Sequence, residues 1–310
     1  MAAPVIKIPG GKRKLAQTIL ARFPKGHWPV YVEPFLGGGA VYLAAASDPN
    51  VHLHDIWLSD GDRDLMHMYR ALVREPEALA QAVKYLAKLL AFVPDPKATY
   101  FELRGTWNTG LVPDFTLPEV EAPRRLLMEP RSPPLHMFLR HAAFNGLWRV
   151  NRKGVMNVPP RDKLTAVKVP SVEDLEAVAY ALRRAMLLPA QLDDLQYVPC
   201  LESELCQGRA CVYLDPPYWG KGGFRAYTAD GFEWSAQKNL IKWAARQAAR
   251  GNRVVYSNNA DDAILRCIKK YWLTARIEFI QADRSISCDG STRGAAKEIL
   301  ASDGLGLGVS

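Results

Sequence analysis

The stretch VYVEPFLGGGAVYLAAA, residues 30–46, contains an apolar strand, a glycine-rich turn and a helix in direct succession. A second strand is predicted in VHLHDIWLSD, residues 51–60, and ends near Asp60. A strand, a helix and another strand in this order form a β-α-β unit, whose strands are parallel and whose helix crosses from one strand to the next. The stretch therefore predicts an α/β fold built on a parallel sheet.

The alternation of strands and helices returns near Ser171, where Asp174 three residues later resembles the capping box that begins a helix. We expect this helix to run to about Met186. Further strands are expected to end at Asp215 and to cover residues 253–256, 274–280 and 295–301. Further helices are expected over residues 12–23, 235–250 and 261–270. These segments predict that residues 1–62 and 168–310 together form one α/β domain.

Residues 63–167 differ from the rest of the chain, because helical spacing dominates and proline is frequent. Helices are expected over residues 65–73, 79–92, 100–107 and 135–144. FNGLWRVNRKGVMNVPPR, residues 144–161, alternates around Gly154 as a β-hairpin does. The segment is therefore predicted to be an inserted, mostly helical domain that carries a hairpin.

The composition is that of a globular protein, since 48% of the 310 residues are hydrophobic and 23% are charged. No apolar run approaches the roughly 18 residues of a membrane-spanning helix, and we expect neither a membrane span nor a signal peptide. The five cysteines include no C-x-x-C pair, which indicates free thiols in a reducing, cytoplasmic compartment. His52 and His54 lie beside Asp55 without a further ligand cluster, so no metal site is predicted.

The net charge of +8 is concentrated in one segment of the chain. Between residues 120 and 168 there are ten basic residues and only three acidic ones. A run of charge is often only a solvated surface, but a basic segment of this density is also typical of proteins that bind nucleic acid. Composition alone leaves both interpretations open.

A second stretch, VYLDPPYWG, residues 212–220, places an acidic residue and two prolines directly after an apolar strand. Asp215 and the carbonyl group of Pro216 can accept the two hydrogens of a planar amino group. Tyr218 can stack on the ring that carries this amino group, and the prolines hold the spacing, which limits the orientational entropy lost at reaction. An ordinary proline-rich turn is the alternative, but the tyrosine and the glycine-rich turn upstream favour a functional site.

The glycine-rich turn FLGGGA, residues 35–40, would let the backbone approach a ligand closely at a helix N-terminus. Asp60 is predicted at the end of the next strand, where an acidic side chain commonly accepts hydrogen bonds from a ribose. Together these features predict a cofactor that contains adenosine. The spacing around Gly10, Gly11 and Lys12 does not match a phosphate-binding P-loop.

Six elements, in the order of the family, resemble the Dam-type DNA adenine-N6 methyltransferases, the alpha group of the D12 class. They are IPGGKRKL (8–15), EPFLGGGA (33–40), SDGDRDLMHMY (59–69), NGLWRVNRKGVMNVP (145–159), VYLDPPY (212–218) and RSISCDGSTRGAAKEIL (284–300). The resemblance implies a Rossmann-like, S-adenosylmethionine-dependent catalytic methyltransferase domain, residues 1–62 and 168–310. It also implies that residues 63–167 form a target-recognition domain.

The resemblance implies roles for individual residues. The catalytic motif is Asp215, Pro216, Pro217 and Tyr218, which would hold a flipped-out adenine while its amino nitrogen attacks the methyl group directly, without a covalent enzyme intermediate. The implied cofactor-binding residues are Ile8, Lys12, Glu33, Phe35, Gly37, Gly39, Asp60 and Asp215.

The resemblance also implies that the hairpin reads double-stranded DNA. Arg149 matches the arginine that reads guanine in the family, and Lys7 matches a lysine that touches an outer base. A plain phosphate contact is the alternative for Arg149. The expected DNA-binding residues are Lys7, Asn145, Arg149, Asn151, Arg152, Lys153, Pro159, Arg161 and Lys163.

Other functions stay open at this point. A DNA cytosine-N4 methyltransferase transfers a methyl group to a chemically similar amino group, and a catalytically silent DNA-binding relative would keep the fold. A protein glutamine methyltransferase shares the P-P-Y turn but commonly has asparagine before it, so Asp215 argues against that function. We expect a monomer in a bacterial cell or a phage-infected host, with or without a companion restriction endonuclease.

Overall fold

The computed structural model of the chain describes residues 2–8, 10–110, 121–151, 153–188, 203, 205–219, 232–283 and 295–303. These residues divide into two compact units. The helical unit contains the N-terminal residues up to Gly11 and the described residues of 62–183. The sheet unit contains residues 12–61 and the described residues after Arg183.

The sheet unit is built on seven described strands in the order β3-β2-β1-β4-β5-β7-β6. The strands are β1 (Gly26–Glu33), β2 (Val51–Ser59), β3 (Ala185–Leu188), β4 (Ala210–Leu214), β5 (Arg253–Asn259), β6 (Ala275–Asp283) and β7 (Ala295–Asp303). The first five strands of this order are parallel to one another, and β7 is antiparallel to both β5 and β6. The mixed α/β fold that the sequence predicts is thereby confirmed.

The direction in which successive strands are added to the sheet reverses between β1 and β4. The strands β2 and β3 lie on one side of β1, and β4 and β5 lie on the other side. Val32 of β1 pairs with Val212 of β4, so the turns that follow the two strands lie at the same edge of the sheet. In open α/β sheets, ligands bind outside the carboxyl ends of the strands at such a reversal.

The middle of the sheet is apolar because it is covered on both faces. All five residues of β4 are buried, which is typical of a central parallel strand. The helices of the sheet unit whose full range is described are α1 (Ala16–Leu20), α2 (Ala40–Ala46), α9 (Trp234–Ala249) and α10 (Asp262–Tyr271). Val212 and Leu214 share one core cluster with Leu240 and Ile241 of α9 and Ile264 of α10. Full burial of each such aliphatic side chain contributes about 1.5–3 kcal/mol.

The helical unit contains six described α-helices. They are α3 (Arg63–Arg74), α4 (Pro76–Phe92), α5 (Pro96–Thr109), α6 (Glu121–Met128), α7 (Pro133–Ala142) and α8 (Val172–Leu182). Side chains cap the N-termini of several of these helices. At the start of α3, the side chain of Asp62 accepts a hydrogen bond from the Leu65 amide. At α8, Ser171 and Asp174 form the capping box that the sequence predicts.

A polar cluster lies inside the helical unit. The Arg140 side chain, on α7, is 1% exposed and pairs with the Asp62 carboxylate, Nη2 to Oδ2, at 2.9 Å. Its Nε donates to Nε2 of His136 at 2.9 Å, so that ring nitrogen carries no proton. Burial and the positive charge of Arg140 hold the pKa of His136 well below its usual range. The Arg140 guanidinium also lies 4.6 Å from the ring centroid of buried Trp148.

The predicted hairpin is a pair of antiparallel segments with two isolated bridges instead of continuous strands. The bridges join Ala143 to Pro160 and Val150 to Met156. The turn between them is closed by hydrogen bonds from the amide of Asn151 to the Val155 carbonyl and from the amide of Gly154 to the Asn151 carbonyl. Gly154 has a φ of 73°, which glycine adopts without strain.

Several element boundaries differ from the sequence-based expectation. The first helix covers only Ala16–Leu20 instead of residues 12–23. The helix after Ser171 ends at Leu182, and the short strand β3 begins at Ala185, within the range to Met186 over which the sequence predicts a helix. The helical unit also includes residues 2–8 and α8, which the expected division placed in the α/β domain. The function of each unit stays a prediction.

Two further expectations concern the composition. Within the described residues, no helix is long and apolar enough to cross a membrane. Three of the five cysteines, Cys206, Cys211 and Cys267, are described, and all three are free thiols.

Candidate functional site

The turn after β4 places Asp215 between two hydrogen-bonding partners. Ser257, on the neighbouring strand β5, donates from Oγ to Oδ1 of Asp215 at 2.6 Å. Because Ser257 has only one hydroxyl hydrogen, its oxygen accepts the Tyr213 hydroxyl, which lies 3.0 Å away. The Lys12 ammonium lies 3.0 Å from the other carboxylate oxygen, Oδ2, and 4.0 Å from a carboxylate oxygen of Glu298. Asp215 is therefore held in one orientation from two sides.

The prolines of the turn differ in their hydrogen bonding. The Pro217 carbonyl accepts a hydrogen bond from Nε2 of Gln237, on α9, at 2.6 Å. The Pro216 carbonyl accepts none from any residue that the structure describes. Gln237 is itself buried and accepts from the hydroxyl of Tyr256 at 3.2 Å. The turn is thus tied to the core at Pro217, while the carbonyl beside Asp215 stays available to a ligand.

Tyr218 and Trp219 continue the turn. The Lys12 ammonium lies 4.8 Å from the centroid of the Tyr218 ring. Burial, followed by the charges of Asp215 and Glu298, raises the pKa of Tyr218 well above its usual range, so the hydroxyl stays neutral. The Trp219 carbonyl accepts a hydrogen bond from Nδ2 of Asn259 at 2.8 Å, which fixes the chain after Tyr218 to the end of β5.

The glycine-rich turn after β1 is fixed to the end of β2. The amide of Gly37 donates to Oδ2 of Asp60 at 2.8 Å, and the amide of Leu36 donates to the Ser59 carbonyl at 2.9 Å. Gly39 precedes α2 with a φ of 68°, a left-handed conformation that a side chain would strain. The predicted glycine turn and Asp60 are therefore neighbours in the structure.

Glu33 ends β1 and is buried, with its carboxylate accepting the Tyr31 hydroxyl at 2.7 Å. Burial raises the pKa of Glu33 to about 8, although the Tyr31 hydrogen bond opposes this effect. The charges of Asp215 and Asp60 also contribute to this raised pKa. A cationic ligand at this edge of the sheet would have the opposite effect and would favour the ionised carboxylate.

Phe35 and Ile8 complete the expected cofactor set. Phe35 is half-buried, and its ring lies edge-to-face against Phe232 at a centroid distance of 5.7 Å. Ile8 belongs to the helical unit, where its carbonyl accepts a hydrogen bond from the Gly11 amide at 3.0 Å. The structure therefore brings Glu33, Asp60 and Asp215 to one edge of the sheet but does not place Ile8 in the sheet unit.

In the helical unit, the side chain of Arg149 is exposed on the hairpin and is oriented by its neighbour. Its Nε donates to Oδ1 of Asn157 at 2.9 Å, and the Asn157 amide donates to the Arg149 carbonyl at 3.2 Å. The two residues face each other across the hairpin. A guanidinium bonded through Nε keeps its two terminal nitrogens for a ligand, which is the geometry of bidentate guanine recognition.

The buried side of the hairpin is attached to α5. Asn108 donates from Nδ2 to the Met156 carbonyl at 3.0 Å and accepts from the Met156 amide at 2.7 Å. The Val158 carbonyl accepts from the Tyr100 hydroxyl at 3.0 Å and from Arg104 at 2.9 Å. Met156 and Val158 are buried, and their backbones are held by these hydrogen bonds. The exposed neighbours Asn157 and Pro159 are therefore held in fixed positions.

The start of the hairpin has an unusual backbone and a close neighbour. Asn145 is exposed and has a φ of 53°, which is uncommon for a residue other than glycine. Gly146 follows with a φ of 69°, and a Cβ atom added there would lie 3.0 Å from Cβ of Lys7. Lys7 therefore lies against the start of the hairpin.

The remaining expected DNA-binding residues lie along the hairpin and directly after it. Asn151 shapes the turn by accepting hydrogen bonds from the amides of Lys153 and Val155. Lys153, Pro159 and Lys163 are exposed and Arg161 is partly buried. Arg152 lies outside the described residues.

Several residues that hold these sites in place are not among the predicted site residues, including Gln237, Ser257, Asn259, Asn157 and Asn258, whose Oδ1 accepts from the Trp219 amide at 3.4 Å. The polar run that ends β5 could have indicated Ser257, because neighbouring parallel strands end at the same edge of a sheet. Gln237 and Asn157 have no such signal, since their partners depend on how a helix packs and on the register of the hairpin. Among the described residues, no cluster of three or more histidine, cysteine or acidic side chains could hold a metal ion.

The seven-strand sheet and the acidic turn at its reversal define a mixed α/β protein whose architecture is consistent with a methyltransferase fold. A family model described as the D12 class N6 adenine-specific DNA methyltransferase matches residues 9–286. The chain therefore belongs to this family and is an adenine-specific DNA methyltransferase.

Similar proteins come from archaea, bacteria and a phage. The chain is 25% identical over 299 residues to the type II methyltransferase M.MjaIII of Methanocaldococcus jannaschii, with 94% of each chain covered. It is 27% identical over 303 residues to the DNA adenine methylase of Escherichia coli, covering 96% of this chain and 93% of the relative. It is 27% identical over 299 residues to the DNA N-6-adenine-methyltransferase of Escherichia phage P1, covering 96% of this chain and 35% of the relative. The resemblance to Dam-type enzymes is thus confirmed.

Proposed function

We propose that the sheet unit transfers a methyl group from S-adenosylmethionine to the N6 amino group of an adenine that has been flipped out of duplex DNA. The observation that carries this proposal is the pair of acceptors at the turn after β4, an oriented Asp215 carboxylate beside a Pro216 carbonyl without a described partner. The two acceptors match the two hydrogens of one amino group.

The residues at the ends of β1 and β2 fit this cofactor. The turn at Gly37 and Gly39 leaves room for close backbone approach, and Asp60 at the end of β2 is a carboxylate suited to ribose hydroxyls. The buried Glu33 carboxyl favours a cationic neighbour, because such a charge relieves the cost of its ionisation. When bound, the cofactor supplies an electrophilic methyl group on a sulfonium.

The turn after β4 would activate the adenine by hydrogen bonding and position. Acceptors at Asp215 and Pro216 draw the amino hydrogens out of the ring plane, so that the nitrogen lone pair becomes available for attack. Tyr218 offers its ring for stacking, and the hydrogen bond to Pro217 and those to Asn258 and Asn259 keep the turn rigid. A rigid site lowers the entropy lost in reaching the reactive geometry. Flipping costs a few kcal/mol, part of which stacking on Tyr218 offsets.

The helical unit would supply target recognition through the hairpin. Arg149, oriented by Asn157, reads a guanine in the major groove, and the surrounding lysines and arginines contact phosphates. Lys7 and Asn145 contact the DNA from the start of the hairpin. The division into a catalytic domain and a target-recognition domain follows from these assignments.

The test is methyl transfer from labelled S-adenosylmethionine to unmethylated duplex DNA, followed by digestion and separation of the nucleosides by mass. We expect N6-methyladenine from the unmodified protein and no turnover from Asp215→Ala, with DNA and cofactor binding within a few-fold of normal. Asp215→Asn is the matched variant, because it keeps the shape but replaces one acceptor oxygen by a donor. N4-methylcytosine would instead identify the cytosine alternative, and an active Asp215→Ala protein would remove Asp215 from the catalytic role.

We further propose that the protein acts as a monomer in the cytoplasm, where its DNA substrate is located. The similarity to a type II methyltransferase is compatible with a companion restriction endonuclease, and the similarity to DNA adenine methylases is compatible with an enzyme that acts without one.

A further inference from the structure

The sheet unit has a groove that none of the roles above uses. The groove is formed by α9, by α10 and by Trp219, the residue after the catalytic tyrosine. Its lining includes three aromatic residues and three basic ones: Trp219, Trp234, Tyr271, Lys238, Arg266 and Lys270. We refer to it as the basic groove.

Among the residues that the structure describes, the cations of the basic groove have no acidic partner. Neither Lys238, Arg266 and Lys270 nor Lys242, one turn further along α9, forms an ion pair with a described carboxylate. Other cations of the same unit do have such partners, as Lys25 has in Asp48 and Arg253 in Asp303. Unpaired positive charge gathered along one groove produces a local potential that attracts an anion.

The lining of the groove also includes one buried thiol. Cys267 lies buried in the lining of the groove, and its burial raises the pKa of its thiol. The charges of Lys238, Lys242 and Lys270 oppose this effect, and no carboxylate contributes to it. These three lysines, from α9 and α10, are therefore the charged groups that affect the Cys267 thiol.

One aromatic ring, that of Tyr271, contacts two of these lysines. The ammonium groups of Lys242 and Lys270 lie 4.8 Å and 5.4 Å from the centroid of the Tyr271 ring. The rings of Trp219 and Trp234 lie 5.1 Å apart at an angle of 48°. Cation–π contacts of this kind orient a lysine without neutralising its charge, so the ammonium can still bind an anion.

The basic groove is attached to the catalytic turn. Trp219 lines the groove, and the Asn258 and Asn259 side chains hold its backbone amide and carbonyl at 3.4 Å and 2.8 Å. On α9, Gln237 bonds the Pro217 carbonyl and the next residue, Lys238, lines the groove. An occupant of the groove would therefore lie close to the site of methyl transfer.

We propose that the basic groove binds the phosphodiester backbone of the DNA substrate, as an anchor separate from the recognition hairpin and from the pocket of the flipped base. The proposal rests on DNA as the substrate. A series of phosphates matches several unpaired cations in one groove, and cations contribute to DNA affinity by releasing counterions.

The test is the salt dependence of DNA binding by the triple variant Lys238→Gln/Arg266→Gln/Lys270→Gln. Each lost phosphate contact should reduce the slope of log K against log[salt] by about 0.9, so the variant should lose about 2 to 3 units of slope. The control variant Lys84→Gln/Lys88→Gln/Lys97→Gln removes the same charge from exposed positions on α4 and α5 of the helical unit. It should lose less than one unit.

Measuring methyl transfer at saturating DNA distinguishes a failure of the groove assignment from a failure of the proposed function. We expect the triple variant to keep its kcat and to need more DNA to reach it. Equal slopes for the triple variant and its control would overturn the groove assignment, even if both proteins methylate adenine. Absence of methyl transfer in the unmodified protein would instead contradict the proposed function.

Discussion

At the scale of single residues, the site depends on a few side chains that hold others in place. Asp215 is oriented by Ser257 and Lys12, and Arg149 is oriented by Asn157. The sequence predicts Asp215, Lys12 and Arg149, because they occupy recognisable motifs. It does not predict Ser257 or Asn157, because hydroxyl and amide side chains are common and their partners are known only once strands are in register.

The orientation of Arg149 by Asn157 has a measurable consequence for specificity. Arg149→Ala should cost about 1–3 kcal/mol of discrimination at one base pair. Asn157→Ala should lose part of the same discrimination, and Asn157→Asp should keep it, because the carboxylate still accepts from Nε. The measurement is binding to a set of duplexes with single base-pair changes.

The double variant Arg149→Ala/Asn157→Ala provides the control for this prediction. If Asn157 acts only through Arg149, the double variant should discriminate no worse than Arg149→Ala alone, since coupled residues are not additive. Equal weakening on all duplexes by Arg149→Ala would show that Arg149 contacts only phosphate.

At the scale of elements, the sequence predicts the strands and helices whose patterns are local. The helix over residues 40–46 is observed as α2 with the same bounds, and the strand before Asp215 is β4. The strand β3 (Ala185–Leu188) was missed because it is only four residues long and follows a helical pattern directly. The two segments of the hairpin are not joined by a continuous ladder of backbone hydrogen bonds. Side chains of α5 bond to the hairpin backbone instead.

The attachment of the hairpin to α5 predicts a large effect of one substitution. Asn108→Ala removes both hydrogen bonds to the backbone of buried Met156. Leaving these backbone groups without partners should lower the free energy of unfolding by about 1–3 kcal/mol for each. Urea unfolding measures this change.

A matched control for this substitution is Asn239→Ala. Asn239 is exposed on α9, and a surface substitution away from special features usually changes the free energy of unfolding by no more than about 0.5 kcal/mol. Equal unfolding midpoints for the two variants would show that the Asn108 hydrogen bonds do not support the hairpin.

At the scale of the whole molecule, buried titratable groups make stability depend on pH. The pKa of Glu33 is raised from 4.5 to about 8, so between these values the folded state keeps a proton that the unfolded state has lost. The free energy of unfolding should therefore fall as pH rises through this range. Buried histidine has the opposite effect at lower pH. Burial lowers the pKa of His141 from 6.5 to about 4, so between these values the unfolded state binds a proton that the folded state does not, and the free energy of unfolding rises with pH.

The range from pH 6.5 to 8 isolates the Glu33 effect. We expect the free energy of unfolding to fall across this range in the unmodified protein and to change less in Glu33→Gln, which carries no titratable group. Thermal or urea unfolding at several pH values gives the slope, and Glu77→Gln, at an exposed position on α4, is the control for loss of a glutamate. An unchanged slope in Glu33→Gln would assign the dependence to other groups.

The antiparallel strand β7 has a consequence for synthesis on the ribosome. Among the described strands, β6 pairs only with β7, and β7 also brings Glu298 to within 4.0 Å of the Lys12 ammonium beside Asp215. Lys12 precedes β7 in the chain, so its contact with Glu298 can form only after β7 has been translated. A nascent chain released before β7 would have an unpaired β6 edge and would lack Glu298 beside Lys12, so early termination should yield protein that aggregates and is inactive.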